Sequence, residues 1–218
     1  MKQIIASLLF VSISLCCKSQ QSMEYGLQVG LNINSARINN LNSDHQKTLL
    51  GINAGGHFKW NQSEKFGLKG MLLLNERGYS FRNLLLEYPN GGAGDGDIEQ
   101  KTSWLNLYIL PEFSFGNHIK FTLAAGPYAG ALLHNKLTTK YNDVSIGGNP
   151  GKVSGKSNNI ASFDYGMAAA AGIQLPFGNH YKWSFNLRND FGLANVFKNG
   201  KARLNSFAIS TAVVFSLK

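Results

Sequence analysis

Two consecutive runs of alternating residues, at positions 105–115 and 119–133, restrict the fold of this chain more than any other feature. In both runs the odd positions are apolar, from Leu105 to Leu133, while polar and small residues collect at the even positions. Period-two alternation is typical of strands with two different faces. Soluble strands are usually about 5–6 residues long, whereas a strand that crosses a bilayer needs about 9–11. The two runs therefore predict a hairpin of membrane-spanning strands.

The turn between the runs, Gly116, Asn117 and His118, is consistent with this hairpin. Directly paired residues point to the same face, so two strands that are apolar at odd positions need an odd number of loop residues between them. A strand in hydrocarbon cannot leave its backbone edge unpaired, so it must belong to a closed set. The hairpin thus favours a transmembrane barrel over a soluble sandwich.

The same alternation recurs along the chain and predicts eight strands. Long connections near residues 37–48, 78–101 and 134–159 alternate with short turns, which is typical of outer membrane barrels with external loops and periplasmic turns. The connection 78–101 is rich in Gly, Pro and Asp and is expected to form a loop without a core. We predict an all-β fold, an eight-stranded antiparallel up-and-down transmembrane β-barrel. Its strands cover approximately residues 25–34, 50–60, 66–77, 105–115, 119–133, 163–175, 181–193 and 203–217.

The first twenty residues read as an export signal. Lys2 provides the positively charged N-terminal region, residues 4–15 form the apolar centre, and Ser19-Gln20 provides a small and a polar residue at its end. We expect residues 1–20 to be removed, leaving residues 21–218 as an outer membrane barrel domain without cysteine. The alternative is a lipoprotein acylated at Cys16 or Cys17.

The chain is basic, with a formal net charge of +9. Loss of Lys2 and Lys18 with the signal would lower this charge to +7. The lysines are spread along strands and loops and are not clustered with aromatic residues, so nucleic acid is not predicted as a partner. Outer-membrane lipid is the expected partner, together with a protein or glycan at the external loops, and the barrel is expected to be a monomer.

Inward-facing charges are the most informative site residues. An eight-stranded barrel is just wide enough to be filled by side chains, and unpaired charges there would be costly. We therefore predict a salt-bridged plug, with a proton or ion path as the alternative. The predicted lumen charge network consists of Lys59, Lys69, Arg77, Glu112, Lys120, Asp164, Lys182, Arg188 and Asp190.

Other motifs are weak. Gly151–Ser157 resembles a phosphate-binding loop, but Pro150 replaces the first glycine, so a flexible external loop is predicted. The Gly91–Asp97 run occurs once and has its aspartates out of step with calcium-binding repeats. The five histidines are scattered around both rims. No cofactor, metal site or catalytic set is therefore predicted.

Five segments carry a family resemblance, namely Gly30–Ile33 (GLNI), Leu107–Glu112 (LYILPE), Gly126–Gly130 (GPYAG), Phe163–Gly166 (FDYG) and Leu187–Asn195 (LRNDFGLAN). Taken in order they resemble the PorT-like outer-membrane β-barrel family, over nearly all of the expected mature chain. The resemblance implies an OmpX-like eight-stranded barrel, in a family whose members mostly lack an assigned activity. One named member is linked to protein secretion across the outer membrane.

Three hypotheses for function follow. The first is a barrel with a filled lumen that acts through its external loops, in binding or in assembly and secretion support. The second is an outer-membrane lipid-modifying enzyme, and the third is a narrow channel. The first is preferred because no local signature of a nucleophile, base and orienting acid is present.

Overall fold

Ten antiparallel strands form one continuous sheet in the computed structural model, which describes residues 22–38, 46–87, 93–141, 151–178, 180–198 and 202–217. The strands are β1 (Ser22–Ile38), β2 (Gln46–Lys47), β3 (Leu49–Asn61), β4 (Phe66–Glu87), β5 (Ala93–Phe115), β6 (Lys120–Tyr141), β7 (Lys152–Gly155), β8 (Phe163–Phe177), β9 (Tyr181–Gly192) and β10 (Ala202–Leu217).

The sheet closes on itself because β1 pairs with both β3 and β10. The ring continues from β3 through β4, β5, β6, β8 and β9 to β10, and every pairing in it is antiparallel. The short strands β2 and β7 lie outside the ring, on β4 and β6. The structure therefore confirms the predicted eight-stranded up-and-down barrel.

Strand phase is as the alternation predicted. Leu27 pairs with Val213 and faces outward with 70% of its surface exposed, whereas Asn32 pairs with Ala208 and is fully buried in the lumen. Apolar side chains cover the outside of every ring strand. Polar and charged side chains fill the inside together with buried apolar and aromatic ones, such as Leu73, Tyr108 and Leu110. A hydrocarbon environment stabilises this arrangement, since a barrel leaves no backbone edge unpaired.

Short turns join the strands at one end of the barrel, which we call the turn end, and it includes both described chain termini. The turn predicted at residues 116–118 is longer by two residues, because Phe115 pairs with Phe121 and not with Ile119. The β8–β9 turn is tighter than predicted, since Phe177 pairs with Tyr181. Gly116 and Gly178 have φ values of 101° and 74°, which side-chain-bearing residues rarely adopt. In both turns the odd loop length is kept.

The opposite end, here the loop end, differs most from the sequence prediction. Residues 78–87 and 93–101, predicted as a loop, continue β4 and β5 as one paired hairpin. Likewise, residues 134–141 continue β6, and residues 152–155 form β7. A strand of 22 residues rises roughly 57 Å at a tilt of about 40°, about twice the apolar band of about 25 Å.

The loop at residues 78–101 was predicted from its content of Gly, Pro and Asp, and two bulges also break the alternation in this part of the barrel. Between Phe81 and Leu84 the register of β4 against β5 shifts, and Asn83 takes a φ of 53°. On β6, Leu133 has no partner because Trp104 pairs with Leu132 and Ser103 with His134. Bulges insert a residue and reverse the phase that follows, so the simple period-two pattern ends although the strand does not.

No helix among the described residues is long and apolar enough to cross a membrane. The predicted signal peptide, residues 1–20, lies outside the described residues and stays a prediction.

Candidate functional site in the barrel lumen

Near the turn end, three strands bring together what we call the turn-end cluster, Lys59, Lys69 and Glu112. Lys59 on β3 and Lys69 on β4 are directly opposite each other. Glu112 on β5 lies between them, with its Oε1 2.7 Å from Lys59 Nζ and its Oε2 3.6 Å from Lys69 Nζ. All three side chains are almost completely buried. Like charges that face each other in a sheet repel, so the Glu112 carboxylate is what holds this pair together.

Arg77, Asp164, Arg188 and Asp190 form a second group, the central cluster. Arg77 donates through Nη1 to Asp164 at 2.8 Å and through Nη2 to Asp190 at 2.6 Å. Arg188 Nε donates to the other Asp190 oxygen at 2.9 Å. Two cations and two carboxylates thus balance, and each acid accepts a hydrogen bond from a guanidinium group.

Tyrosines on β5 and β6 support the central cluster. The hydroxyl of Tyr108 donates to Asp190 at 2.9 Å, and the hydroxyl of Tyr128 donates to Asp164 at 3.2 Å. Arg188 lies 4.5 Å from the Tyr108 ring centre, and Arg77 lies 4.9 Å from that of Tyr128. Cation–π contacts of this kind add to the ion pairs in a desolvated site.

Small residues make the room for these side chains. A Cβ at Gly166 would lie 2.1 Å from the Phe191 carbonyl oxygen and 2.8 Å from the Tyr128 ring. The glycine of the FDYG segment is therefore required by close packing in the lumen.

At the loop end the lumen is closed by an apolar cap rather than by charges. The loop-end cap consists of Ala36, Tyr79, Phe81, Trp104, Ile160, Val196 and Leu204, with Leu84, Leu132 and Phe197 packed against it. Trp104 is 1% exposed, and its indole N–H donates to Thr102 at 2.9 Å. A bridge between Ile160 and Phe197 ties the segments before β8 and before β10 together over the barrel mouth. The sequence prediction missed this cap.

The remaining two predicted network residues lie near the turn-end rim. Lys182 pairs with Glu24, a residue that the prediction left out because strand one was started at Tyr25. Continuing the phase of β1 by one residue would have placed Glu24 in the lumen. Lys120 is partly exposed and forms no ion pair with any described residue, so the structure does not bring it into either cluster.

The weaker sequence motifs form no ligand site among the described residues. Residues 152–155 of the phosphate-loop-like segment are a strand, so the flexible loop predicted there is corrected to β7. In the described parts of the chain, no group of three or more His, Cys, Asp or Glu residues could hold a metal ion. The first residues of the Gly91–Asp97 run lie outside the described residues, and so does His45.

A closed ring of strands, lipid-compatible outside and charged inside, defines an integral outer membrane β-barrel. A family model described as "Outer membrane protein beta-barrel domain" matches residues 18–198. The chain belongs to this family, and its location is the outer membrane. No curated protein matches the chain.

Several solved structures of outer membrane proteins are similar to this chain over most of its length, at low sequence identity. The crystal structure of Ail from Yersinia pestis with the heparin analogue sucrose octasulfate is 14% identical, covers 88% of this chain and 99% of its own, and gives a TM-score of 0.42. Neisserial surface protein A is 10% identical, with coverages of 88% and 96% and a TM-score of 0.46. OprG from Pseudomonas aeruginosa is 11% identical, with coverages of 93% and 98% and a TM-score of 0.45.

Proposed function

We propose that this chain is a non-conducting, non-catalytic barrel that acts through its loop end, in binding or in assembly and secretion support. The observation that carries the proposal is the filled lumen. The turn-end cluster, the central cluster and the loop-end cap follow one another along the interior, and each is nearly inaccessible to water. Side chains packed in this way leave no path for a solute.

A second observation supports a role for the loop end. The long strands β4, β5 and β6, with β2 and β7 at their sides, extend the sheet well beyond the apolar band. A structured surface of this size is more than a barrel needs for closure. The tip carries Leu85 and Val153 with 77% and 60% of their surfaces exposed, which suits contact with a protein or glycan partner.

Exposed lysines on the outer face of this extension indicate an anionic neighbour. Lys101 is directly opposite Lys136, and Lys140 is directly opposite Lys152. Facing like charges repel. Two described acids lie among these lysines, since Glu99 forms a 3.1 Å ion pair with Lys101 and Asp97 is directly opposite Lys140. Lys101 lies a few residues before Leu105, where the apolar outer face of β5 begins, and this position supports a contact between these lysines and the head groups of outer-membrane lipid.

The PorT-like resemblance agrees with this proposal. It implies an OmpX-like barrel in a family whose members mostly lack an assigned activity, and support of secretion is the role that one named member adds. We propose a monomer, because the ring is closed by its own strands and leaves no barrel edge for a second copy.

Surface labelling tests the orientation that the proposal requires. Single cysteines at Leu85 and Val153 should react on intact cells with a membrane-impermeant maleimide, whereas cysteines at Asn117 and Ser63, in exposed turns, should react only after the outer membrane is broken. The reason is that all turns and both termini share one rim of an eight-stranded barrel. The unsubstituted protein gives the background labelling. Equal labelling of the cysteines at positions Asn117 and Val153 on intact cells would contradict the proposed orientation of the barrel in the membrane.

Photocrosslinking tests the binding role itself. A photoreactive side chain at Leu85 or Val153 should give a discrete adduct of higher mass on intact cells. The matched control is Val29, which has a similar exposed fraction of 57% but lies in the middle of the apolar band. It should give no such adduct. If loop-end positions give nothing beyond the Val29 control, the loop end has no macromolecular partner under those conditions and the proposal fails.

A further inference from the structure

The lumen contains a small cavity between the turn-end cluster and the central cluster. Its volume is about 20 Å³, and among the residues that line it are Gln28, Lys69, Glu112, Thr122, Arg188 and Ser210. A space of about 10–15 Å³ suffices for one water molecule, so this cavity holds a single water-sized or slightly larger species.

One hydrogen-bond donor in the lining lacks a partner. The Gln28 amide nitrogen is buried and donates to no described group. The Lys69 ammonium lies 3.6 Å from Glu112 Oε2, an ion-pair contact that is longer than a hydrogen bond. Thr122 and Ser210 add hydroxyl groups, which can donate. Buried donors without acceptors are costly, so a species that accepts several hydrogen bonds would stabilise the site.

The charge balance specifies the sign of that species. The central cluster contains two cations and two carboxylates, and Lys182 is matched by Glu24. The turn-end cluster contains Lys59 and Lys69 but one carboxylate, Glu112. An excess of one positive charge therefore remains in the turn-end cluster, which borders the cavity through Lys69 and Glu112. An uncompensated buried charge is strongly destabilising, and a bound anion would remove that cost.

We propose that this cavity binds one monovalent inorganic anion of halide size, held by Lys69 and Gln28. Glu112 is the one charged acceptor in the lining, with its Oε1 2.7 Å from Lys59 and its Oε2 3.6 Å from Lys69. The site is part of the plug and goes beyond the role proposed for the loop end. The anion completes the charge balance of the lumen and fills space that side chains leave open.

The test is the thermal midpoint of the detergent-purified barrel in sodium chloride and in sodium gluconate at equal ionic strength. Chloride should raise the midpoint by about 5 °C in a saturable manner, and gluconate, which is too large for the cavity, should not. Lys69→Met should lose the chloride response. Lys120→Met removes the same charge from a rim lysine outside the lining and should retain it. Equal midpoints in the two salts, or a chloride response that survives in Lys69→Met, would overturn the proposal.

Bromide gives an independent test if Lys69→Met does not fold. Crystals of the unchanged protein grown in sodium bromide should show an anomalous peak in the cavity, near Lys69 Nζ and Gln28 Nε2. A cavity peak without anomalous signal would identify water and would overturn the proposal, as would bromide bound only at the protein surface.

Discussion

Arg77→Leu is expected to destabilise the barrel by about 3–5 kcal/mol, toward the upper end of that range. Arg77 donates to Asp164 and to Asp190, and all three side chains are about 1% exposed or less. Its loss leaves Asp164 without a cation and Asp190 with Arg188 alone. An uncompensated carboxylate in the lumen costs far more than the ion pair itself contributes. The free energy of unfolding in urea, measured in lipid vesicles, checks this.

Two further variants make the Arg77 result specific. Arg203→Leu removes an exposed arginine from β10 and should change stability by no more than about 0.5 kcal/mol. The double variant Arg77→Met with Asp164→Leu removes cation and carboxylate together and leaves Asp190 paired with Arg188. It should recover much of the loss, because apolar replacement of a buried ion pair is often neutral. A double variant as unstable as Arg77→Leu would contradict this account of the central cluster.

Glu112→Leu is expected to cost about 3–5 kcal/mol for a related reason. Without the carboxylate, the ammonium groups of Lys59 and Lys69 face each other across paired positions of β3 and β4. Of the lysines in the predicted network, Lys59 and Lys69 are the partners of Glu112, and Lys120 is not. The shift of the urea unfolding midpoint relative to the unchanged protein measures the cost.

Glu99→Leu is the matched control for Glu112. Glu99 also pairs with a lysine, Lys101, but this pair is largely in water, and such pairs contribute about 0–1 kcal/mol. The decrease in stability caused by Glu99→Leu should be close to the detection limit. A midpoint for Glu112→Leu that equals the one for Glu99→Leu would mean that water reaches Glu112, and would favour the pore.

The barrel itself could be predicted because its signal is local. Alternation from Leu105 to Leu133 places each side chain in lipid or in the lumen, and the bilayer allows no third environment. Strand number and order followed from the same alternation and from the alternating lengths of the connections. The predicted lengths of two turns were wrong by two residues each. Because the turns still have an odd number of residues, the inward and outward positions of neighbouring strands were predicted correctly.

The membership of the two clusters could be predicted only in part. An inward charge is visible in the sequence, but its partner depends on register and on packing across the barrel. Arg77 and Asp190 are separated by 113 positions, and Lys182 and Glu24 by 158. Nothing local distinguishes Lys59 from Lys120 as a partner of Glu112. The pairing of β3 with β4 decides it.

The loop-end cap could not be predicted, for two reasons. Tyr79 and Phe81 precede a segment rich in Gly, Pro and Asp, whose composition argues against a core. That core is supplied by distant segments, including Trp104, Ile160 and Leu204. In addition, the bulge at Leu133 reverses the phase of β6, and a search for unbroken alternation ends there.

The filled lumen carries the proposal of a non-conducting barrel that acts through its loop end. Single-channel recording in planar lipid bilayers tests the filled lumen most directly. The protein used is first shown to be folded, by a gel mobility that differs between boiled and unboiled samples. We expect no stable conductance steps, because the two clusters and the loop-end cap occupy the interior in succession. Large, reproducible steps from the unchanged protein would contradict the plug and favour a channel.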